Sequence, residues 1–108
     1  MADVLTGKGY AITTTDAAGL TASSSQVITI IGLSVGNIHA SAASWVTVNV
    51  VRSGGVDSEL AHQVNIPVND ALDILNGGKL ILNNSDAVWF DAEANSHLEA
   101  SISYLVQT

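Results

Sequence analysis

The sequence predicts an all-β protein, a single antiparallel β-sandwich of the jelly-roll or immunoglobulin-like type with seven to eight short strands. Three segments, 44–50, 60–66 and 98–104, alternate apolar and polar residues. A period of two places successive side chains on opposite faces of a strand. Turn-forming clusters separate these segments and none has helical spacing, so the 108 residues are expected to form one sheet-rich domain.

The chain is predicted to begin with an arm. Residues 1–9 include two glycines and few large apolar side chains, so the sandwich domain is expected to occupy residues 10–108. The first strand is predicted over 10–15. Small and polar residues at 16–19 and 23–25 are typical of turns.

The longest predicted strand spans residues 26–39. Strict alternation places Ile28 and Ile30 on its outer face, and the inner face is expected to carry Val27, Thr29, Ile31, Leu33 and Val35. Because the first half of this strand is apolar on both faces, both faces are expected to be covered.

Two further strands, 44–52 and 57–68, are predicted to form a hairpin closed by Ser53-Gly54-Gly55. The inward residues are expected to be Val46, Val48 and Val50 on the first strand and Leu60, Val64, Ile66 and Val68 on the second. Pro67 has no N–H to donate, so the second strand is expected to end at an edge or leave the sheet there.

The C-terminal third alternates short strands and turns. Residues 69–75 are compatible with one helical turn or with a short strand crossing between sheets. The other elements are predicted as a turn at 76–78, a strand at 79–82, a turn at 83–85 and strands at 86–94 and 98–106, which the loop 95–97 joins as a hairpin.

The charge balance excludes some partners. The net charge is −7, and the cations are Lys8, Arg52 and Lys79. Three scattered cations are too few for a nucleic-acid or anionic-membrane surface, so neither partner is expected.

The sequence has no cysteine. It shows no signal peptide or membrane-spanning apolar run, so synthesis in a cytosol is expected.

No arrangement of residues predicts catalysis or cofactor binding. Asp86, Asp91, Glu93 and His97 are close in sequence and were weighed as metal ligands, but their strand phases do not converge. A solvated acidic strand face is the preferred interpretation, so no metal is expected. His62 lies in the apolar phase and is interpreted as a partly buried histidine rather than a pH sensor or ligand.

Two other segments were compared with catalytic motifs. Asn76-Gly77-Gly78-Lys79 lacks the first glycine and the following Ser or Thr of a phosphate-binding loop, and it is predicted to be a hairpin turn. No Gly-x-Ser-x-Gly nucleophile elbow occurs. The chain is therefore not expected to be an enzyme.

The two tryptophans suggest an interface. Trp45 and Trp89 fall out of phase with their apolar neighbours, so both are expected to point away from the core. Trp is enriched at protein interfaces. The predicted interface residues are Trp45, Trp89, Ile28, Ile30 and Val51.

Residues 26–106 resemble small virion proteins of tailed bacteriophages. The similar motifs are Ile66-Pro67-Val68 through Leu75, Lys79 to Leu82, Asp86 to Trp89, and Leu98 to Leu105. This resemblance implies a β-sandwich present in many copies on the particle, either as a trimeric head decoration (cement) protein or as a neck or tail accessory. The outward tryptophans do not correspond to a motif of that family.

The expected function is therefore that of a non-enzymatic virion protein, a capsid decoration protein that stabilises the head lattice. A neck or tail accessory protein is the first alternative, and a carbohydrate-binding or adhesion module is the second. The expected partners are further copies of the chain, with a trimer as the expected stoichiometry, and the major capsid protein or other virion proteins. The expected location is the virion.

Overall fold

The computed structural model describes residues 3–108, and all regular elements in that range are strands. The strands are β1 Asp3–Ala11, β2 Ala17–Thr21, β3 Val27–Asn37, β4 Ser44–Val51, β5 Ser58–Ile66, β6 Ala71–Asp73, β7 Leu80–Leu82, β8 Ala87–Ala92 and β9 Leu98–Gln107. They form two antiparallel sheets, which confirms the predicted all-β sandwich.

Sheet A has the strand order β1-β9-β3-β6, with β7 also paired to β3, and sheet B has the order β2-β8-β4-β5. Most connections cross from one sheet to the other, and β4 and β5 form a hairpin within sheet B. This cross-sheet connectivity is typical of a jelly roll. The sandwich is elongated, measuring 46 × 26 × 21 Å.

The core lies between the two sheets. Val46, Val48 and Val50 are at most 1% exposed, which confirms their predicted inward phase. The largest buried side chains are Phe90, Ile12, Ile28, Ile30, Leu33, Ile66, Leu82, Leu98 and Ile102. Burying each such side chain contributes about 1.5–3 kcal/mol, so this layer is the main source of stability.

Strand β1 occupies the segment predicted to be an arm. Residues 3–9 pair with β9 in a continuous register that ends with Ala11 opposite Glu99; residues 1–2 lie outside the described range. Most β1 side chains are exposed, which is why the segment lacks the apolar pattern of a core strand. Its attachment to the sandwich comes mainly from backbone pairing, together with a hydrogen bond from Lys8 Nζ to the Gly19 carbonyl oxygen (2.6 Å).

Strand β2 was predicted to be a turn, and that prediction is wrong. Residues 17–21 pair with β8, with a bulge between Ala18 and Leu20. Gly19 sits in this bulge, where a Cβ atom would lie 2.5 Å from the Phe90 ring. The glycine therefore serves close packing within a strand. With β2, residues 3–108 hold nine strands, compared with the predicted seven to eight.

A bulge in β3 overturns the predicted outer position of Ile28 and Ile30. The pairing of β3 with β9 shifts between Ile30 and Gly32, so one extra residue, Ile31, interrupts the alternation. Ile28 and Ile30 are 2% and 0% exposed and belong to the core, whereas Ile31, which was expected to face inward, is 43% exposed. A bulge of one residue reverses the faces along a strand.

Two predictions about connections have opposite outcomes. Strand β5 ends at Ile66, directly before Pro67, and residues 71–73 form a short strand in the other sheet. The crossing-strand interpretation of 69–75 is therefore confirmed. Strands β8 and β9 do not form the predicted hairpin, because β8 lies in sheet B and β9 in sheet A.

Candidate functional site

The outer face of sheet B, here called the tryptophan face, carries both tryptophans. Trp45 and Trp89 are partly exposed, and each alternates with fully buried neighbours on its strand, so both point away from the core as predicted. In the register of the sheet, Trp89 lies opposite Asn49 and Ala18. Val51 is also partly exposed on this face. The other predicted interface residues, Ile28 and Ile30, lie in the core.

Acidic groups flank the tryptophans. Asp91 lies on β8 two residues from Trp89, and Glu93 Oε1 accepts a hydrogen bond from the backbone N–H of Trp45 (3.3 Å). Desolvation, together with the negative charge of Asp91, raises the pKa of Asp16. The tryptophan face is thus an aromatic surface with crowded negative charge, which favours a partner that supplies hydrogen-bond donors and positive charge.

Asp86 was expected on a solvated acidic strand face, and that expectation is wrong, because the residue is only 4% exposed and has a structural role. Its carboxylate is buried and accepts hydrogen bonds from Arg52 Nη1 (2.9 Å), Ser53 N (2.9 Å) and Asn83 N (3.0 Å). The Ser53 N–H is the largest cause that lowers the pKa of Asp86, and the Arg52 guanidinium is the next. This cluster ties the β4–β5 loop to the turn before β8.

A shallow cleft of about 400 Å³ lies beside this cluster. It is lined by Arg52, Gly54, Gly55, Val56, Asn83 and Asp86. The Asp86 carboxylate is already satisfied by three donors, so the cleft offers no free acid or base for catalysis.

The four residues weighed as metal ligands are distributed over separate environments. Asp86 belongs to the Arg52 cluster, Asp91 and Glu93 lie on the tryptophan face, and His97 stacks on His39 with ring centroids 4.0 Å apart. Within residues 3–108, no group of three or more His, Cys, Asp or Glu side chains is arranged to hold a metal ion.

The histidines have structural environments that differ from expectation. His62 is 68% exposed at its side chain and contacts Glu59 at 2.8 Å, so the prediction of a partly buried His62 is wrong. Gln63 has a φ of 45° and lies in a bulge of β5, between Ala61 opposite Val48 and Val64 opposite Val46. Val64 is 37% exposed, since β5 is an edge strand of sheet B. His39 Nδ1 accepts backbone hydrogen bonds from the two residues Ser41 and Ala42 and organises the loop after β3.

The segment 76–79 forms a tight turn between β6 and β7. Gly78 N donates to the Leu75 carbonyl oxygen (2.8 Å), and Asn76 and Gly77 have positive φ values. β6 and β7 both pair with β3 rather than with each other, so the turn is not the predicted hairpin.

No helix in residues 3–108 is long and apolar enough to cross a membrane.

Comparisons with known proteins give similarity of fold without similarity of sequence. No protein-family model and no curated protein matches the chain. A chain of the Bacillus endospore appendages, described as a novel family of disulfide-linked pili, has a TM-score of 0.58 at 10% identity, with 99% of this chain and 87% of that chain covered. A chain of the acidic stable capsid of Helicobacter pylori bacteriophage KHP30 has a TM-score of 0.53 at 8% identity, with 98% and 87% covered. The β-sandwich of this chain is therefore similar to sandwiches found in a phage capsid and in a pilus-like appendage.

Proposed function

We propose that this chain is a non-enzymatic structural protein of a bacteriophage virion, a capsid decoration (cement) protein present in many copies on the head. The observation that carries the proposal is the tryptophan face. Trp45 and Trp89 expose large apolar rings on the outside of a sheet whose inner side already supplies the core. Outward indole rings of this kind are typical anchors of protein interfaces.

The similar structures support this proposal. Both come from protein assemblies, one a capsid and the other pili. The pili are described as disulfide-linked, whereas this chain has no cysteine. Contacts of this chain with its neighbours therefore depend on burial of apolar surface and on charge, and the tryptophan face offers both.

A decoration protein stabilises a lattice through mass action. If the chain binds the assembled lattice and not the free subunits, saturation at 100 times the dissociation constant stabilises the assembled state by about 2.7 kcal/mol per site. The acidic groups Asp16, Asp91 and Glu93 suit a capsid surface that presents Arg or Lys. We propose that the bound unit is a homo-oligomer, either a trimer, as the family resemblance implies, or a two-fold dimer if copies meet through one shared face. Sedimentation of the purified protein distinguishes the two stoichiometries.

The decisive experiment measures binding of the purified chain to emptied, expanded capsids of its phage. Trp45→Ala and Trp89→Ala are each expected to weaken binding about thirtyfold, the loss typical of an interface anchor, without changing the unfolding midpoint. Ile38→Ala is the matched control, because Ile38 is 55% exposed and lies outside the tryptophan face; it is expected to bind like the unmodified chain.

Other outcomes select the alternatives. Binding to isolated tails but not to capsids would identify a neck or tail protein. Retention on immobilised glycans that is lost in Trp89→Ala would identify a carbohydrate-binding module. Unfolding of both tryptophan variants would show that the rings stabilise the fold rather than an interface.

A further inference from the structure

We infer that the outer face of sheet A, opposite to the tryptophan face, is the surface through which neighbouring copies of this chain contact each other. This inference rests on the proposed function, because it names the contact that a multicopy protein needs. The surface, here called the glycine face, consists of four rows of cross-strand neighbours: Leu5, Leu105, Thr29 and Ile81; Gly7, Ser103 and Gly32; Gly9, Ser101, Ser34 and Asp73; and Ala11, Glu99, Gly36 and Ala71.

The first observation is a set of four strand glycines that neither backbone conformation nor close packing inside the molecule requires. None of the four has a positive φ, and an added Cβ would meet nothing within 4 Å at two of them and nothing closer than 3.7 Å at the others. By contrast, Gly19 is required by Phe90, and Gly77 has a φ of 83°. The four glycines are Gly7, Gly9, Gly32 and Gly36, of which Gly32 also adjoins the bulge of β3.

All four glycines lie on the same face of the same sheet. Glycine weakens a strand interior, and in that position it commonly marks a place where another backbone approaches closely. The neighbouring residues Ser34, Ser101 and Ser103 are also small. These glycines and serines form one half of the glycine face, a flat surface against which another protein backbone fits.

The second observation is an apolar row at the other half of the face. Leu5 is 70% exposed and Ile81 is 51% exposed, and the two lie at opposite ends of one cross-strand row that also contains Leu105. The bulge residue Ile31, 43% exposed, adds to this cluster. Apolar side chains grouped in this way mark a surface that becomes covered.

Charge decides between a second copy and a different partner. The four rows contain two carboxylates, Asp73 and Glu99, and the exposed cation Lys79 directly precedes β7 at the edge of the face. Two copies of a chain with net charge −7 repel each other. A contact between copies through the glycine face brings together fewer carboxylates than one through the tryptophan face, where Asp16, Asp91 and Glu93 lie, and Lys79 at the edge offsets part of its charge.

The area is sufficient for a stable contact. Sheet A is four strand positions wide and β1 is nine residues long. The fourth strand position is shared by β6 and β7, of three residues each. Strand spacings of about 4.8 Å and a rise of about 3.3 Å per residue then give a face of about 520 Å² on each copy, or about 1,050 Å² for a pair, close to the roughly 1,000 Å² expected of a biological interface.

The test introduces side chains at glycines where the fold accepts them. Gly9→Lys and Gly36→Lys place a long cation on the glycine face, and an added Cβ meets nothing within 4 Å at either position. Gly54→Lys is the matched control, because it makes the same change in the open β4–β5 loop, also without a Cβ contact. Sedimentation velocity from micromolar to submillimolar concentration measures self-association, and the unfolding midpoint reports the integrity of the fold.

The unmodified chain, Gly54→Lys and Trp89→Ala are expected to self-associate. Gly9→Lys and Gly36→Lys are expected to raise the dissociation constant between copies at least about tenfold, at an unchanged unfolding midpoint. Since lysine reduces the net negative charge, general repulsion cannot explain that loss. Unchanged self-association in both folded variants overturns the inference. A chain that sediments as a monomer yet binds capsids also overturns it and leaves the proposed function standing.

Discussion

Removal of the Asp86 carboxylate is expected to be among the most damaging single changes outside the apolar core. The residue is 4% exposed, and its two oxygens accept hydrogen bonds from Arg52, Ser53 and Asn83. In Asp86→Ala, the backbone N–H groups of Ser53 and Asn83 lose their acceptor, and Arg52 Nη1 keeps only the Ile81 carbonyl oxygen. The β4–β5 loop then loses its attachment to the turn before β8.

The magnitude follows from the burial of the pair. Deleting one partner of a fully buried ion pair typically costs about 3–5 kcal/mol. The Arg52 side chain is 26% exposed and keeps a second acceptor, so a smaller loss of about 2–3 kcal/mol is expected. At an unfolding entropy of about 2.1 cal/mol/K per residue, this loss lowers the Tm of a chain of this size by about 9–13 °C. Asp57→Ala is the matched control. Asp57 is exposed and accepts one hydrogen bond, from Arg52 N (2.9 Å), so a loss of about 1 kcal/mol is expected.

Chemical denaturation of both variants as a function of pH provides the assay. The pKa of Asp86 is lowered in the folded state, so its contribution to stability is present above the ordinary carboxyl pKa of about 3.9 and is lost as the pH falls below it. The difference in the free energy of unfolding between the unmodified chain and Asp86→Ala is therefore expected to become smaller below about pH 4. An Asp86→Ala loss no larger than that of Asp57→Ala would refute the assignment of this cluster as a main attachment of the loop.

Three further predictions concern stability. Val46→Ala removes two buried methyl groups from a site that is 0% exposed, and denaturation should show a loss of about 1–4 kcal/mol; an unchanged midpoint would contradict the inward phase of β4. Gly19→Ala should cost about 1–3 kcal/mol because its Cβ would meet the buried Phe90 ring at 2.5 Å, and a neutral effect would refute this close packing. Desolvation and the Asp91 charge raise the pKa of Asp16, so the ionised Asp16 destabilises the fold. Asp16→Asn should therefore raise the free energy of unfolding by up to about 0.5 kcal/mol at neutral pH and leave it unchanged at pH 3. An equal gain at both pH values would exclude this electrostatic cause.

The alternation of residue types was sufficient to identify the strands that bury one face and expose the other. β4 and β5 fall within their predicted segments, and β9 extends one residue beyond the predicted 98–106, since polar and apolar residues alternate over most of each segment. The alternation of residue types did not identify β1 and β2, for different reasons. β1 lies at an edge and contributes few side chains to the core. β2 is five residues long and begins with the small residues Ala17, Ala18 and Gly19, of which Gly19 packs against Phe90.

Local pattern could not reveal bulges or long-range partners. One extra residue at Ile31 exchanged the faces of β3, and a positive φ at Gln63 did the same on β5. The Arg52–Asp86 pair joins positions 34 residues apart, and no spacing rule connects them. The outward phase of Trp45 was predictable because β4 keeps regular alternation through that position.

The central position of β9 in sheet A has a consequence for how the chain folds. β1 pairs with β9 alone, at the other end of the sequence, and β3 gains its longest partner from the same strand. Pairings of such large sequence separation slow folding to milliseconds or longer. During synthesis, β1 emerges from the ribosome well before its partner exists. Until β9 follows, its backbone hydrogen-bonding groups and the exposed Leu5 are open to other nascent chains, so this interval is when the protein is most susceptible to aggregation.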